Sequence, residues 1–225
     1  MFATRYFIRM LLLASLLACN VAIAQTSRPI DVQLITAAER GDAAEVKRLL
    51  AQGASVTARD ARGRTALVAA THGDKPEAAR LLIAAGADVN AKDHLEDSAF
   101  LYAGAEGRLE ILKLTLAAGA DLKSRNRYGG NALIPACHHG HVETVRELLK
   151  TRIDIDHVNN LGWTALLETV ILGSGDARYI EITRLLIEHG ANLNVADRDG
   201  VSPLAHAKKR GFTRIAQMLE KAGAR

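Results

Sequence analysis

Cysteine is nearly missing from this chain, with only Cys19 and Cys137 in 225 residues, which excludes a disulfide framework and a cysteine-rich zinc site. Neither sign of charge dominates. Lys and Arg number 29 against 25 Asp and Glu, interleaved along the chain, so no basic footprint for nucleic acid emerges. The apolar run Met10 to Ala18 is too short to span a bilayer, and no second run follows it. Catalytic signatures are missing too: there is no Gly-x-Ser-x-Gly, His-Glu-x-x-His, Cys-x-x-Cys or phosphate loop. These absences leave no enzymatic reading and no cofactor to expect.

What the chain does have is a period. The stretch Asp60 to Asp93 returns at intervals of 33 residues: Leu67 maps back to Leu34 and forward to Phe100 and Leu133, and Gly86 maps to Gly53 and Gly119. Gly63 lies between polar residues, where a tight turn needs positive φ, and Thr65 stands where a hydroxyl caps a following helix. The spacing predicts a second helix from Pro76, suited to a first helical turn, to Ala84, with Gly86 as its left-handed stop. Neither helix buries its apolar stripe alone, so units must stack on neighbours in a solenoid.

The motifs that carry a family resemblance are Asp60-Ala61-Arg62-Gly63-Arg64-Thr65-Ala66-Leu67, Asp199-Gly200-Val201-Ser202-Pro203-Leu204, and Leu185-Leu186 followed by Gly190-Ala191-Asn192-Leu193-Asn194. On these the chain resembles ankyrin repeat proteins over almost everything after Pro29. The resemblance implies an all-α solenoid of about six helix-turn-helix units with β-hairpin-like fingers. Arg152-Ile153 departs from the Gly-Ala expected there, so that helix end must close differently.

In order, residues 1–24 read as a signal peptide: Arg5 and Arg9 precede the apolar run, and Ala22-Ile23-Ala24 offers a cleavage site before Gln25. Export to the periplasm, or secretion, is the expectation. Leu16-Leu17-Ala18-Cys19 also resembles a lipobox, so a lipid anchor at Cys19 is the competing, disfavoured form. After a short linker, 25–29, one repeat domain covers 30–225, in units 30–60, 61–93, 94–126, 127–159, 160–197 and 198–225. The first and last are caps, with Glu39 and Arg40 on a solvated face and Glu220 in an otherwise apolar column. Unit five is five residues longer than its neighbours. The excess falls at 173–178, read as a tolerated surface loop with partner contact as the alternative.

The strongest constellation for metal is Cys137-His138-His139-Gly140-His141, but consecutive helical residues diverge by about 100° and do not converge on one ion. Packing is the reading for the lone thiol of Cys137. For partner binding, the resemblance supplies a concave track of fingertips and first helices. It runs through Arg62 and Arg64, then His94, Leu95 and Asp97, then Arg127 and Tyr128, then Asn160, Leu161 and Trp163, then Arg198 and Val201. The helices add His72, Glu106, His138, His139 and Leu172. With aromatics so scarce, Tyr128 and Trp163 on this track read as a hot spot, although Trp163 could equally pack on the neighbouring finger.

The strings 126–136 and 159–168 resemble a subgroup of bacterial exported ankyrin repeat proteins, some of them linked to periplasmic catalase activity and oxidant defence. The expected function is a non-catalytic interaction module that binds a protein partner, perhaps a redox enzyme. An immunity or inhibitor protein that blocks a toxin or effector enzyme is the alternative.

Overall fold

The computed structural model describes residues 28–225, so the expected signal peptide and Cys19 lie outside the described residues. Twelve helices follow one another in pairs: α1 (Pro29–Arg40) and α2 (Ala43–Ala51), α3 (Ala66–His72) and α4 (Pro76–Ala84), α5 (Ala99–Ala105) and α6 (Leu109–Ala117), α7 (Leu133–His138) and α8 (Val142–Leu149), α9 (Ala165–Ile171) and α10 (Ala177–Glu188), and α11 (Pro203–Lys209) and α12 (Thr213–Lys221). First helices pack on first helices and second on second, down the whole stack.

The core is a pair of columns. Leu34, Leu67, Phe100, Leu133, Leu166 and Leu204 form one, all buried; Leu49, Leu82, Thr115, Leu148, Leu186 and Leu219 form the other. Thr115, the position expected to be weak, keeps its hydroxyl satisfied by donating to the Leu112 carbonyl at 2.8 Å. A buried hydroxyl bonded inside its own helix costs far less than one left without a partner. Thr65, Ser98, Thr164 and Ser202 each accept a backbone N–H at the head of a first helix, as the capping pattern requires.

Several expectations need correction. Among the described residues no finger contains a β-strand; each is a turn closed by backbone bonds, such as Asp60 N–H to the Arg64 carbonyl at 3.0 Å. The first helix begins at Pro29, ahead of the unit boundary expected at residue 30, with Arg28 bonding Asp31 of its first turn at 2.8 Å. Glu39 is partly solvated as expected, yet its carboxylate also takes the guanidinium of Arg64. The extra length in unit five is not all loop, since α10 runs 12 residues where α4 has 9 and so gains most of a turn. Tyr179 in that turn donates to the His138 carbonyl at 2.7 Å, and Arg210 donates to Gly173 O at 2.9 Å. The insertion is thus fastened to both neighbours.

At Arg152, where a left-handed glycine was missing, Thr151 closes α8 instead. Its hydroxyl donates to the Leu148 carbonyl at 2.6 Å and accepts the Ile153 N–H at 3.2 Å.

Because each unit is buried only by its neighbours, position decides the effect of a cavity. Leu133→Ala, in the middle of a column, is expected to lower stability by about 2–5 kcal/mol. Leu219→Ala, equally buried but in the last unit, should fray α11 and α12 before the remainder unfolds. Hydrogen exchange during denaturant titration distinguishes the two. Global loss of protection in the Leu219 variant at the concentration that unfolds the Leu133 variant would contradict the nearest-neighbour picture.

Candidate functional site

Each finger is organised by one side-chain oxygen. Asp60 Oδ1 accepts the N–H groups of Arg62 and Arg64 at 2.8 and 2.9 Å. Asp93, Asn126, Asn159 and Asp197 repeat this with their own second and fourth following residues. Such an Asx turn needs a left-handed residue at its tip, supplied by Gly63, Gly129, Gly162 and Gly200. Glu96 alone is a non-glycine there, at φ 62°.

The glycines also make room. A Cβ on Gly63 would collide with the ring of His94, one on Gly129 with Asn160, and one on Gly162 with Arg198. Each finger therefore lies across the one before it. Backbone bonds from His94 N–H to Arg62 O at 3.0 Å and from Asn160 N–H to Tyr128 O at 2.9 Å tie these pairs together.

This arrangement sorts the expected contact residues. Leu95, Tyr128 and Leu161 share the outermost slot and are 54%, 54% and 46% exposed, forming an apolar stripe over three successive fingers. Arg62 precedes the stripe on the same slot, exposed, with Glu39 at 3.7 Å and Asp60 at 3.9 Å. Arg127 donates to Asp97 at 3.1 Å and stacks over the Tyr128 ring, with 4.9 Å from Cζ to centroid. His94 and Arg198 are exposed but lean on neighbouring fingers, Arg198 reaching the Asn160 carbonyl.

Arg64 departs from the expected track. It is 3% exposed, with its guanidinium held by Glu39 at 2.7 Å and Asp60 at 2.8 Å, so it joins the cap to unit two and presents nothing to a partner. Trp163 shares the slot of Arg64 and is half-buried, its backbone N–H donated to Asn159 Oδ1. Tyr128 and Trp163 thus do not make one exposed pair, since they occupy different slots of the finger. His72 is withdrawn as well, stacked on Tyr102 at 3.7 Å between ring centroids.

Behind the stripe, between fingers and first helices of units three to five, lies a groove of about 370 Å³. Tyr128, Ile134, Leu161 and Leu172 supply its apolar walls, and Asp97, Glu106 and Glu168 its acids. Glu168, absent from the expected track, is 6% exposed on α9. Its Oε1 accepts from Asn159 Nδ2 at 2.9 Å, and Oε2 stands 3.5 Å from His138 Nδ1. Burial lifts its pKa to about 7, outweighing the Asn159 amide bond, which lowers it. Burial raises Asp97 as well, despite Arg127, and lowers His138. One spacing could have revealed the pair: Asn159 and Glu168 lie nine residues apart, as do Asp197 and His206, which meet at 2.7 Å in the last unit.

The His138 and His139 rings meet tilted and the His139 and His141 rings edge-on, at 4.6 and 5.7 Å between centroids, and His139 Nδ1 is bonded to the Ala105 carbonyl. Among the described residues no three metal-ligating side chains converge. Cys137 is fully buried, and that burial pushes its thiol far above the ordinary range, so the reactive thiolate is not formed.

The raised Glu168 pKa has a sign that can be measured. Between its ordinary value of 4.5 and about 7 the folded state holds a proton that the unfolded state has released. Stability therefore falls as pH rises through that window, by up to roughly 3 kcal/mol for a shift of this size. Urea melts from pH 4.5 to 8 should show this decline, and Glu168→Gln should flatten most of it. An equal slope in the Gln variant would place the titrating group elsewhere.

Known proteins share both the repeat and its assembly. A family model described as ankyrin repeats (3 copies) matches residues 9–93 and 100–177, and a single ankyrin repeat model matches 161–198. The ankyrin repeat protein YahD of Escherichia coli (strain K12) is 45% identical over 58 residues, a match that spans 26% of this chain and 29% of YahD. Among solved structures, an ankyrin repeat domain of Acinetobacter baumannii AYE (ABAYE2397) superposes with TM-score 0.83 at 55% identity, covering 85% of this chain and 98% of that one. The ankyrin repeat protein EF0377 gives 0.81 at 42%, covering 84% and 96%. The ankyrin repeat domain of Bcl-3, a member of the IkappaB family, gives 0.77 at 30%, covering 86% of each. Repeat models over most of the sequence, and the same stacked helix pairs in these relatives, place the chain in the ankyrin repeat family.

Proposed function

We propose that this chain is an exported, non-catalytic interaction module that binds a protein partner along the Leu95, Tyr128 and Leu161 fingertips and the groove behind them. The observation that carries the reading is the apolar stripe itself. Three large side chains near half exposure, on adjacent fingers braced by Asx turns, form a preorganised surface that loses little entropy on binding. Arg127 stacked on Tyr128 adds the aromatic and guanidinium pairing typical of interface hot spots.

Export rests on the leader-like residues 1–24, and the site of action is then the periplasm. Cys137 is sealed in the core, so a role in oxidant defence would run through a bound redox enzyme rather than through this chain's own thiol. The immunity or inhibitor reading uses the same surface, with a toxin or effector active site as the bound element.

Photo-crosslinking from position 95 or 161 in intact cells should recover a partner from the periplasmic fraction, and Tyr128→Ala combined with Leu161→Ala should abolish recovery at unchanged folded fraction. Undiminished recovery would remove the stripe from the interface. The mature N-terminus should be Gln25; a lipid-modified Cys19 in the membrane fraction would favour the anchored form. Oxidant sensitivity on deletion supports the redox partner, whereas sensitivity only to a co-expressed toxin supports immunity.

A further inference from the structure

The floor of the groove carries a carboxylate that is only half used. Glu168 Oε1 takes the Asn159 amide at 2.9 Å, while Oε2 has only His138 Nδ1 at 3.5 Å, beyond a normal N–H···O bond. The Asn159 amide is fixed in this orientation, because its Oδ1 holds the N–H groups of Leu161 and Trp163. A buried acid in this state is costly to ionise and gains strongly from an incoming donor.

Charge in the groove points the same way. Asp97 and Arg127 offset one another at 3.1 Å, burial holds His138 toward its neutral form, and His139 is bonded to a backbone carbonyl. Glu106 and Glu168 remain as acids that no Arg or Lys pairs with among the described residues, so the groove favours a cation. Its walls are apolar and suit an aliphatic stem. Lys and Arg are the side chains that combine such a stem with a charged head.

We propose that the groove is a receptor for one Lys or Arg side chain of an extended partner segment, its ammonium or guanidinium docking on Glu168 Oε2 and its stem lying against Ile134, Leu161 and Leu172. The inference rests on the concave face being the partner surface, and it names the chemistry that face selects. A neutral donor would satisfy Oε2 but leave the groove's negative charge unmatched. The occupant is a side chain rather than a metal ion, because no third ligating group meets Glu168 and His138 among the described residues.

Benzamidine and its uncharged counterpart benzamide serve as probes, titrated into the protein at pH 8 with resonances followed by NMR. Benzamidine should bind about tenfold more tightly than benzamide, with shifts confined to His138, Leu161, Leu172 and their neighbours. Glu168→Gln should erase that preference without lowering the melting temperature at pH 8, and Glu168→Asp should restore part of it. Equal binding of the two probes, shifts mapping elsewhere, or a preference that survives Glu168→Gln would overturn the proposal. The crosslinking experiment separates the two levels: recovery lost in the Tyr128 and Leu161 variant but unchanged in Glu168→Gln would leave the interface standing and remove the cation receptor.

Discussion

Every feature of this molecule depends on one constraint: a short helix pair cannot bury its own apolar stripe. α3 is 7 residues long and α4 only 9, too few to be stable as isolated helices in water. They persist because Leu67 and Leu82 are roofed by the units on either side, and the two leucine columns make that dependence continuous. Unit three carries the smaller Thr115 in one column and the larger Phe100 in the other, both fully buried. The ends need different solutions, met by Arg64 joining Glu39 and Asp60 at one end and by Lys208 pairing with Glu220 at 2.6 Å at the other.

The fingers obey a second rule, in which one residue type does two jobs. Glycine at the turn supplies a left-handed backbone and leaves space for the next finger's side chain. Glu96 breaks the rule between units three and four. Arg127, which on the pattern of His94 and Asn160 would lie across that position, turns instead to Asp97 and the Tyr128 ring. The exception thereby shapes the rim of the groove, where the apolar stripe and the acids meet.

Polar pairing under the fingers follows local chemical logic. The head of each finger is Asx, and in the last two fingers its form matches the residue nine positions later on the first helix. Opposite His206 the finger carries Asp197; opposite Glu168 it carries Asn159, since a second carboxylate there would set two buried anions against each other. This choice keeps the fold intact and leaves Glu168 without a compensating charge, which makes it the most perturbed acid lining the groove. Buried groups satisfied for folding but incompletely matched in charge are where recognition sites are expected.

The 33-residue period, Gly86 and Pro76 in their places, and the Thr65 cap were enough to determine paired helices and their stacking, because those signals act within a few residues and repeat. The apolar stripe was half legible: Leu95, Tyr128 and Leu161 share a slot by simple counting. Arg64 was misplaced by the same counting, since period assigns a residue to a slot but does not say whether that slot faces solvent or the preceding unit. Side-chain burial is set by what the neighbouring repeat contributes, as Glu39 does for Arg64 across 25 residues of chain. Glu168 became a candidate for recognition only when Asn159, His138 and the walls of the groove came together from units four and five. Its burial and its raised pKa are properties of that assembly, and no single repeat contains them.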